Sequence, residues 1–279
     1  MIDVLLATYR PDPAMLKAQI DSIRAQKGVE VNVVRREDES GAGACANFAA
    51  LLGESCADYV ALSDQDDVWR PDKLAKCLAK LQGLESQYGR DTPLLVFCDG
   101  VVSDAALNPR PGTVISRQGV DVKKGLRLNR LLMQNFIPGN AMLFNAALRE
   151  KAGAVPPGAL MHDSWLALVA AAFGRIGFVD EPLYFYRQHR SNALGATTAG
   201  FGHFLRRGLE GRMAFRRRLH ANVVQARAFV ERFGVESPAS AVALAELEGK
   251  NFFARRMELV RHRLYKHGFL RNMSLLAFV

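Results

Sequence analysis

Residues 57–74 read Ala57-Asp58-Tyr59-Val60-Ala61-Leu62-Ser63-Asp64-Gln65-Asp66-Asp67-Val68-Trp69-Arg70-Pro71-Asp72-Lys73-Leu74. The run from Asp58 to Ser63 is a buried strand by composition. Pro71 sits where a helix takes its first residue, and Asp72 falls in the first turn. Between them Asp64, Asp66 and Asp67 crowd three carboxylates into four positions. Two like charges 4 Å apart repel by about 4 kcal/mol at an effective dielectric near 20. Such a cluster holds a cation, points its members apart, or simply serves as turn and cap residues. Magnesium and manganese suit the first case, because they take a few hard oxygens and leave positions open for phosphates.

The same alternation continues outward. Ile2–Thr8 is an apolar run ended by Tyr9-Arg10-Pro11-Asp12-Pro13, and residues 14–26 carry helical spacing. Val29–Val34 alternates as a strand, Arg35–Gly43 is a polar loop, and 44–55 reads as a helix. Leu94–Cys98 is a further strand, with Asp99 at its end. Strand-helix alternation over residues 2–100 predicts an α/β fold built on a mainly parallel sheet. Ligands bind such sheets at the carboxyl ends of the strands, which is where Thr8, Asp64 and Asp99 fall.

Farther on, 120–135 suggests a basic helix and Ala141–Phe144 a short strand. His162-Asp163 precede an apolar helix from Ser164 to about Phe173, and 176–186 reads as strand, turn, strand. From 201 the chain turns helical. Phe201, Leu205, Leu209 and Met213 recur every four residues, Gly234 offers a stop, and Ser237-Pro238 opens a last helix to about His267.

Composition bounds the answer. The 279 residues are 49% hydrophobic and 23% charged, which excludes disordered, collagenous and coiled-coil classes. No stretch approaches the apolar length needed to span a bilayer. Met1–Leu6 opens as a strand rather than a signal segment, so a cytoplasmic location is expected. Cys45, Cys56, Cys77 and Cys98 lack C-x-x-C spacing and read as reduced thiols. Residues 1–200 carry 22 basic and 22 acidic residues, whereas 201–279 carry 15 and 6, so the whole net charge of +9 belongs to the C-terminal segment.

The Ala57–Leu74 stretch closely resembles the D-x-D region of family 2 inverting glycosyltransferases, most of all their bacterial rhamnosyltransferase-type branch. Val4-Leu5-Leu6-Ala7-Thr8-Tyr9 with Gln19-Ile20-Asp21-Ser22-Ile23 is similar to that family's first strand and helix. Gln134-Asn135-Phe136-Ile137-Pro138-Gly139-Asn140, Met161-His162-Asp163-Ser164-Trp165 and Tyr186-Arg187-Gln188-His189-Arg190-Ser191-Asn192 resemble its later blocks. Five blocks in the family's order cover about residues 2–195.

The resemblance implies a GT-A fold over residues 1–200, followed by a basic helical extension over 201–279. It implies that Asp64 contacts the donor's ribose or nucleotide and that Asp66 binds Mg2+ or Mn2+. Asp163 would be the general base, His189 would reach the metal or diphosphate, Asp99 would line the sugar pocket, and Thr8 and Tyr9 would pack around the nucleotide. Each position has a plainer reading: Asp163 as a helix cap, His189 as a solvated loop residue, Asp99 as a turn residue. Trp69, Trp165 and Phe136 read as core rather than as sugar platforms. The implied donor is a dTDP- or UDP-sugar, with rhamnose the sugar of that branch, and the acceptor is a cell-surface polysaccharide or lipid-linked glycan. Arg187-Gln188-His189 in place of the processive Q-x-x-R-W implies transfer of one sugar.

One departure stands out. The family's Asp-Asp-Gly-Ser-like motif is missing after the second strand, where this chain has Arg36-Glu37-Asp38-Glu39-Ser40-Gly41-Ala42-Gly43. Either Asp38 belongs to a degenerate motif and reads the base, or one βα unit near 28–44 has been deleted. In the second case the chain could instead be an impaired relative that binds glycans or proteins. Arg10 also replaces the family's usual Asn. In the extension, Arg206, Arg207, Arg212, Arg216, Arg217 and Arg218 interleave with apolar residues, so an anionic membrane surface is the expected partner and nucleic acid is not. The expected place is the inner face of the cytoplasmic membrane.

Overall fold

The computed structural model describes residues 1–188 and 208–279. Its elements, in chain order, are β1 (Ile2–Thr8), α1 (Pro13–Arg24), β2 (Val31–Glu37), α2 (Ala44–Glu54), β3 (Tyr59–Ser63), β4 (Val68–Trp69) and α3 (Lys73–Tyr88). There follow β5 (Leu94–Ser103), β6 (Pro109–Thr113), α4 (Val114–Gln118), α5 (Val122–Gly125), α6 (Leu128–Leu131), β7 (Met142–Asn145), α7 (Ala146–Ala152), α8 (His162–Phe173) and β8 (Arg175–Arg187). The last helices are α9 (Gly208–Phe233), α10 (Ala239–Ala245), α11 (Phe252–Arg261) and α12 (Phe269–Phe278). Residues 1–118, 136–155 and 161–189 gather into one compact unit, and 119–135, 156–160 and 190–279 into another. The sequence draws one boundary near 200, whereas the structure places 119–135 and 156–160 with the C-terminal residues.

The first unit is built on one sheet, ordered β2-β1-β3-β7-β5-β8-β4, with β6 beside β5. β1 pairs in parallel with β2 along its whole length and with β3 on its other side. β5 and β8 form a second long parallel ladder, and the short strand β7 joins the halves antiparallel to both β3 and β5. Val4, Leu5, Leu6, Val60, Ala61, Leu62 and Leu94–Cys98 are fully buried, as continuous apolar runs in covered sheets should be. This is the α/β architecture on a mainly parallel sheet that the alternation predicts, and it is of the GT-A type that the resemblance implies. The chain leaves β1 toward β2 on one side and returns as β3 on the other, so the strand order reverses at β1. Ligand crevices form at the carboxyl ends beside such a reversal.

Several expected elements take different bounds. β5 does not stop before Asp99 but runs to Ser103, and its register with β8 shifts on both sides of Asp99. β8 is one strand rather than two; the same irregularity accommodates Pro182, which cannot donate to a ladder. α8 begins at His162, so Asp163 lies in its first turn and the cap position is Met161. α3 begins at Lys73 rather than Pro71; Asp72 stands at its cap position, with its carboxylate on Arg70 and Lys76. Trp69, Trp165 and Phe136 are buried core residues, and all four cysteines are free thiols.

In the second unit, α9 buries Leu219, Val223, Ala226, Phe229 and Phe233 along one stripe, while Met213 is exposed. The basic helix expected over 120–135 is instead two single turns, α5 and α6. The long final helix is broken into α10, a 3-10 turn and α11, because Asn251 caps α11 through Ala254 N and Ser237 makes no cap. A further helix, α12, starts after Gly268, whose φ of 89° suits glycine. No helix of the described residues is long and apolar enough to cross a membrane.

Candidate active site

The site is assembled at the carboxyl ends of β1, β2 and β3. Register places Thr8 opposite Glu37 and Leu6 opposite Ser63, so Thr8-Tyr9, Asp38 and Asp64 emerge side by side. Thr8 O accepts from Asp38 N at 2.8 Å and from Asn47 Nδ2 at 3.3 Å. Tyr9 N donates to Gln65 Oε1 at 2.7 Å, and Gln65 Nε2 donates back to Tyr9 O at 3.2 Å. The middle residue of D-x-D therefore clasps the end of β1. Arg10 holds a φ of 41°, a backbone state that Asn tolerates better, and its guanidinium lies 5.2 Å from the Tyr9 ring centre.

Only one strand lies between α1 and α2, and it is the sheet edge. Asp38 follows it directly. Its carboxylate accepts from Ser40 Oγ (3.0 Å), Ala42 N (3.1 Å) and Gly43 N (2.7 Å). These bonds, Gly43 first, hold its proton affinity below the usual carboxylate range. Asp38 thus shapes the turn into α2, with three of its roughly four acceptor positions occupied.

The D-x-D loop is held by the acidic residue to which the sequence assigns no role. Asp67 is buried, and its carboxylate accepts from Asn140 Nδ2 and from Arg187 N (3.2 Å). Arg187 also donates through Nε to Asp66 O (2.8 Å) and through its guanidinium to Ala105 O (2.5 Å). The buried Lys73 ammonium donates to Asn140 O at 2.6 Å and lies 3.3 Å from the Trp69 ring centre. Burial pushes Lys73 down to about 8, offset in part by nearby Cys98 and Cys77 and then by Asp67 and Asp64. It pushes Asp67 well up, reinforced by Asp64 and Asp66.

Asp64 is pushed up to about 7, first by burial and then by the charges of Asp66 and Asp163, with Lys73 opposing. Asp163, 99 positions later, is therefore an electrostatic neighbour of the D-x-D loop. Its carboxylate accepts from Ser164 N and Gly139 N, and burial pushes it up to about 6. A Cβ on Gly139 would stand 3.0 Å from His162 Nε2 and 3.5 Å from Asp163 Cβ, so a side chain there would crowd the imidazole. His162 stacks on Phe48 with centroids 4.0 Å apart, and burial keeps its imidazole neutral, with its pKa near 3. Consecutive residues Gly139 and Asn140 thus hold Asp163 and Asp67, tying the two acidic clusters to one loop.

Asp99 differs from its expected place at a strand end. It sits inside β5, where Oδ1 accepts from Gly100 N (2.7 Å) and Ile115 N (3.0 Å), pinning α4. A Cβ on Gly100 would lie 2.5 Å from the Tyr184 ring, which fills the space beside it. His189 lies outside the described residues. Among the described residues, no three His, Cys, Asp or Glu side chains gather as a closed metal cage. Asp64 and Asp66 nevertheless fit magnesium or manganese chemically, since these ions use one or two carboxylates and complete their shell with water and substrate phosphate.

No protein-family model matches the chain. Among curated proteins it is similar to an uncharacterized Mycobacterium tuberculosis protein, Rv1520, at 24% identity over 152 residues, covering 54% of this chain and 40% of that protein. The chain thus spans about two-fifths of the length of the curated relatives it matches. Among solved structures, Staphylococcus aureus TarS 1–349 superposes with a TM-score of 0.52 at 11% identity, covering 96% of this chain and 93% of that one. The same protein in complex with UDP gives 0.51 at 12% identity over the same shares. The chain has the TarS fold.

The sequence located the acidic groups but missed what positions them. Asn140 and Arg187 stand in blocks it singles out, which was the available signal. Lys73 carried none, because a lysine in a helix's first turn reads as solvated.

Proposed function

We propose that this chain transfers one sugar, with inversion, from a nucleotide-sugar donor to a hydroxyl of a glycan or lipid-linked acceptor. The observation that carries the reading is Asp163 beside Asp64 near the reversal of strand order, with Asp163 and Asp67 held by the consecutive residues Gly139 and Asn140 of one loop. Asp163 would take the acceptor hydroxyl's proton as that oxygen bonds to the anomeric carbon and the bond from that carbon to the diphosphate breaks. A single displacement inverts the anomeric centre. Asp64 would bind the nucleotide side of the donor, with Thr8, Tyr9 and Asp38 around it and Asp99 behind the sugar. Asp66, with His189, would hold Mg2+ or Mn2+, which when bound neutralises charge on the departing diphosphate. TarS has been solved with UDP, and the dTDP- or UDP-sugar reading, with rhamnose as the sugar, builds on that fold together with the sequence resemblance.

A second reading, an impaired relative that binds glycans or proteins, is favoured by one observation. The single edge strand and the largely occupied carboxylate of Asp38 leave less polar surface to read a base. Incubation with dTDP- and UDP-sugars, manganese and a lipid-linked glycan separates the two. Transfer should give a product of opposite anomeric configuration by NMR. A product of retained configuration would refute the inverting mechanism, and binding without turnover would favour the second reading.

A further inference from the structure

The C-terminal unit carries an apolar surface where a solvated helix should be polar. On α11, Phe253, Met257 and Val260 follow i, i+4, i+7 spacing, and on α12 Phe269, Leu270 and Met273 share one face. These faces are exposed: Phe253 78%, Met257 66%, Phe269 77% and Leu270 73%, whereas Leu259 and Leu275 on the opposite sides are buried. At roughly 150–250 Å² per buried aromatic, Phe253 and Phe269 alone leave on the order of 300 Å² of ring surface in water. The two helices are held together. Arg256 donates to Phe252 O at 3.0 Å on α11, and to Val279 O (2.7 Å) and Ala277 O (3.3 Å) at the end of α12. Phe215 packs on Phe278 from α9, with centroids 5.9 Å apart.

Cations border this surface. Residues 252–279 contain six Lys and Arg and one acidic residue, Glu258. Arg216, Arg217, Arg218 and Arg271 are exposed and form no ion pair among the described residues. Lys266 lies over the Phe215 ring at 4.6 Å, and Arg218 and Arg271 are close enough that their charges add to burial in weakening its hold on its proton. Like charge gathered beside exposed aromatics calls for an anionic partner with an apolar interior. A second copy of the chain would bring arginine against arginine.

We propose that the exposed faces of α11 and α12 insert into the interface of an anionic lipid bilayer, with Arg218, Lys266 and Arg271 on its headgroups. The sequence places membrane contact on the arginines of 206–218 and the apolar residues between them, of which 206 and 207 lie outside the described residues; under the proposal the apolar half of the contact falls on residues 253–273. Amphipathic helices bind bilayers in this way, by apolar burial plus attraction to acidic lipid. This docking needs no donor or metal and stands apart from the transferase reading.

Flotation of the full chain with vesicles of phosphatidylcholine, with and without phosphatidylglycerol, tests it. The chain should float with the acidic vesicles and partition at least about tenfold less onto neutral ones. The pair Phe253→Ser and Phe269→Ser should lower binding to acidic vesicles by at least about tenfold with the melting temperature unchanged, since both rings are exposed. The pair Arg218→Glu and Arg271→Glu should erase the preference for acidic lipid. Equal binding to both vesicle types, or a serine pair that floats like the native chain, would overturn the proposal. So would a native dimer that the serine pair dissociates without any flotation, since a second copy would then cover the face.

Discussion

Asp163→Asn should bind donor as the native chain does, turn it over about 10²–10⁴-fold more slowly, and melt at a higher temperature at neutral pH. The loss follows from removing a positioned general base. The gain follows from the cost of ionising a buried carboxyl. Asp163 titrates near 6 in the fold and near 3.8 when ordinary, so the native state binds more protons across that window. Stability therefore falls as pH rises through it and stays lower above it. Asn cannot ionise and keeps an oxygen for Gly139 N, so the variant should be more stable by about 2 kcal/mol above neutrality. The advantage should shrink to nothing near pH 4. Native kcat/KM should fall tenfold per pH unit below about 6, and the residual rate of the variant should lack that limb. Thermal melts and rate profiles across pH check both halves. A variant that is destabilised at neutral pH, or a native rate that is flat through pH 6, would contradict the assignment.

Asp67→Ala should cost about 3 kcal/mol, or roughly 6–12 °C in melting temperature for a chain of this size. The side chain is buried; it receives Asn140 Nδ2 and Arg187 N, and it sits near Lys73. Alanine leaves two buried donors without acceptors and weakens the compensation of a buried ammonium. Part of the loss is offset, because Asp67 itself is costly to ionise. Asp67→Asn retains an acceptor oxygen for one donor and should lose about half as much. Because Asn140 adjoins Gly139, which holds Asp163, activity should fall with stability. An Asp67→Ala protein that melts and turns over like the native chain would show that the shared loop is not what positions the site.

The legible parts of this fold are those that repeat locally. Apolar runs at β1, β3 and β5 separated by helical spacing predict the sheet, and a parallel sheet puts Thr8, Asp38 and Asp64 at one edge whatever lies between. Asp163 was singled out by the resemblance of its block, since a carboxylate opening an apolar helix reads locally as a cap. The supports were not readable: the bonds of Asp67 reach 73 and 120 positions along the chain, and no local pattern encodes such a distance. Asp99 was misplaced for a related reason. A bulge lets β5 continue where its apolar run stops, so composition marks an end that pairing does not respect. In the C-terminal unit, one helix was read through Asn251 to about His267, and capping rather than periodicity decided the break.

The central claim is that the Asp64–Asp67 loop binds a nucleoside diphosphate with a divalent metal. Thermal-shift titration with UDP, dTDP and GDP, with and without manganese, on the native chain and on Asp66→Ala, tests it most directly. At 100 times its dissociation constant a specific ligand adds about 2.7 kcal/mol of stability. The expected result is a manganese-dependent shift with one nucleotide, absent in an Asp66→Ala protein that otherwise melts like the native chain. No shift with any nucleotide, or one that survives Asp66→Ala unchanged, would contradict it.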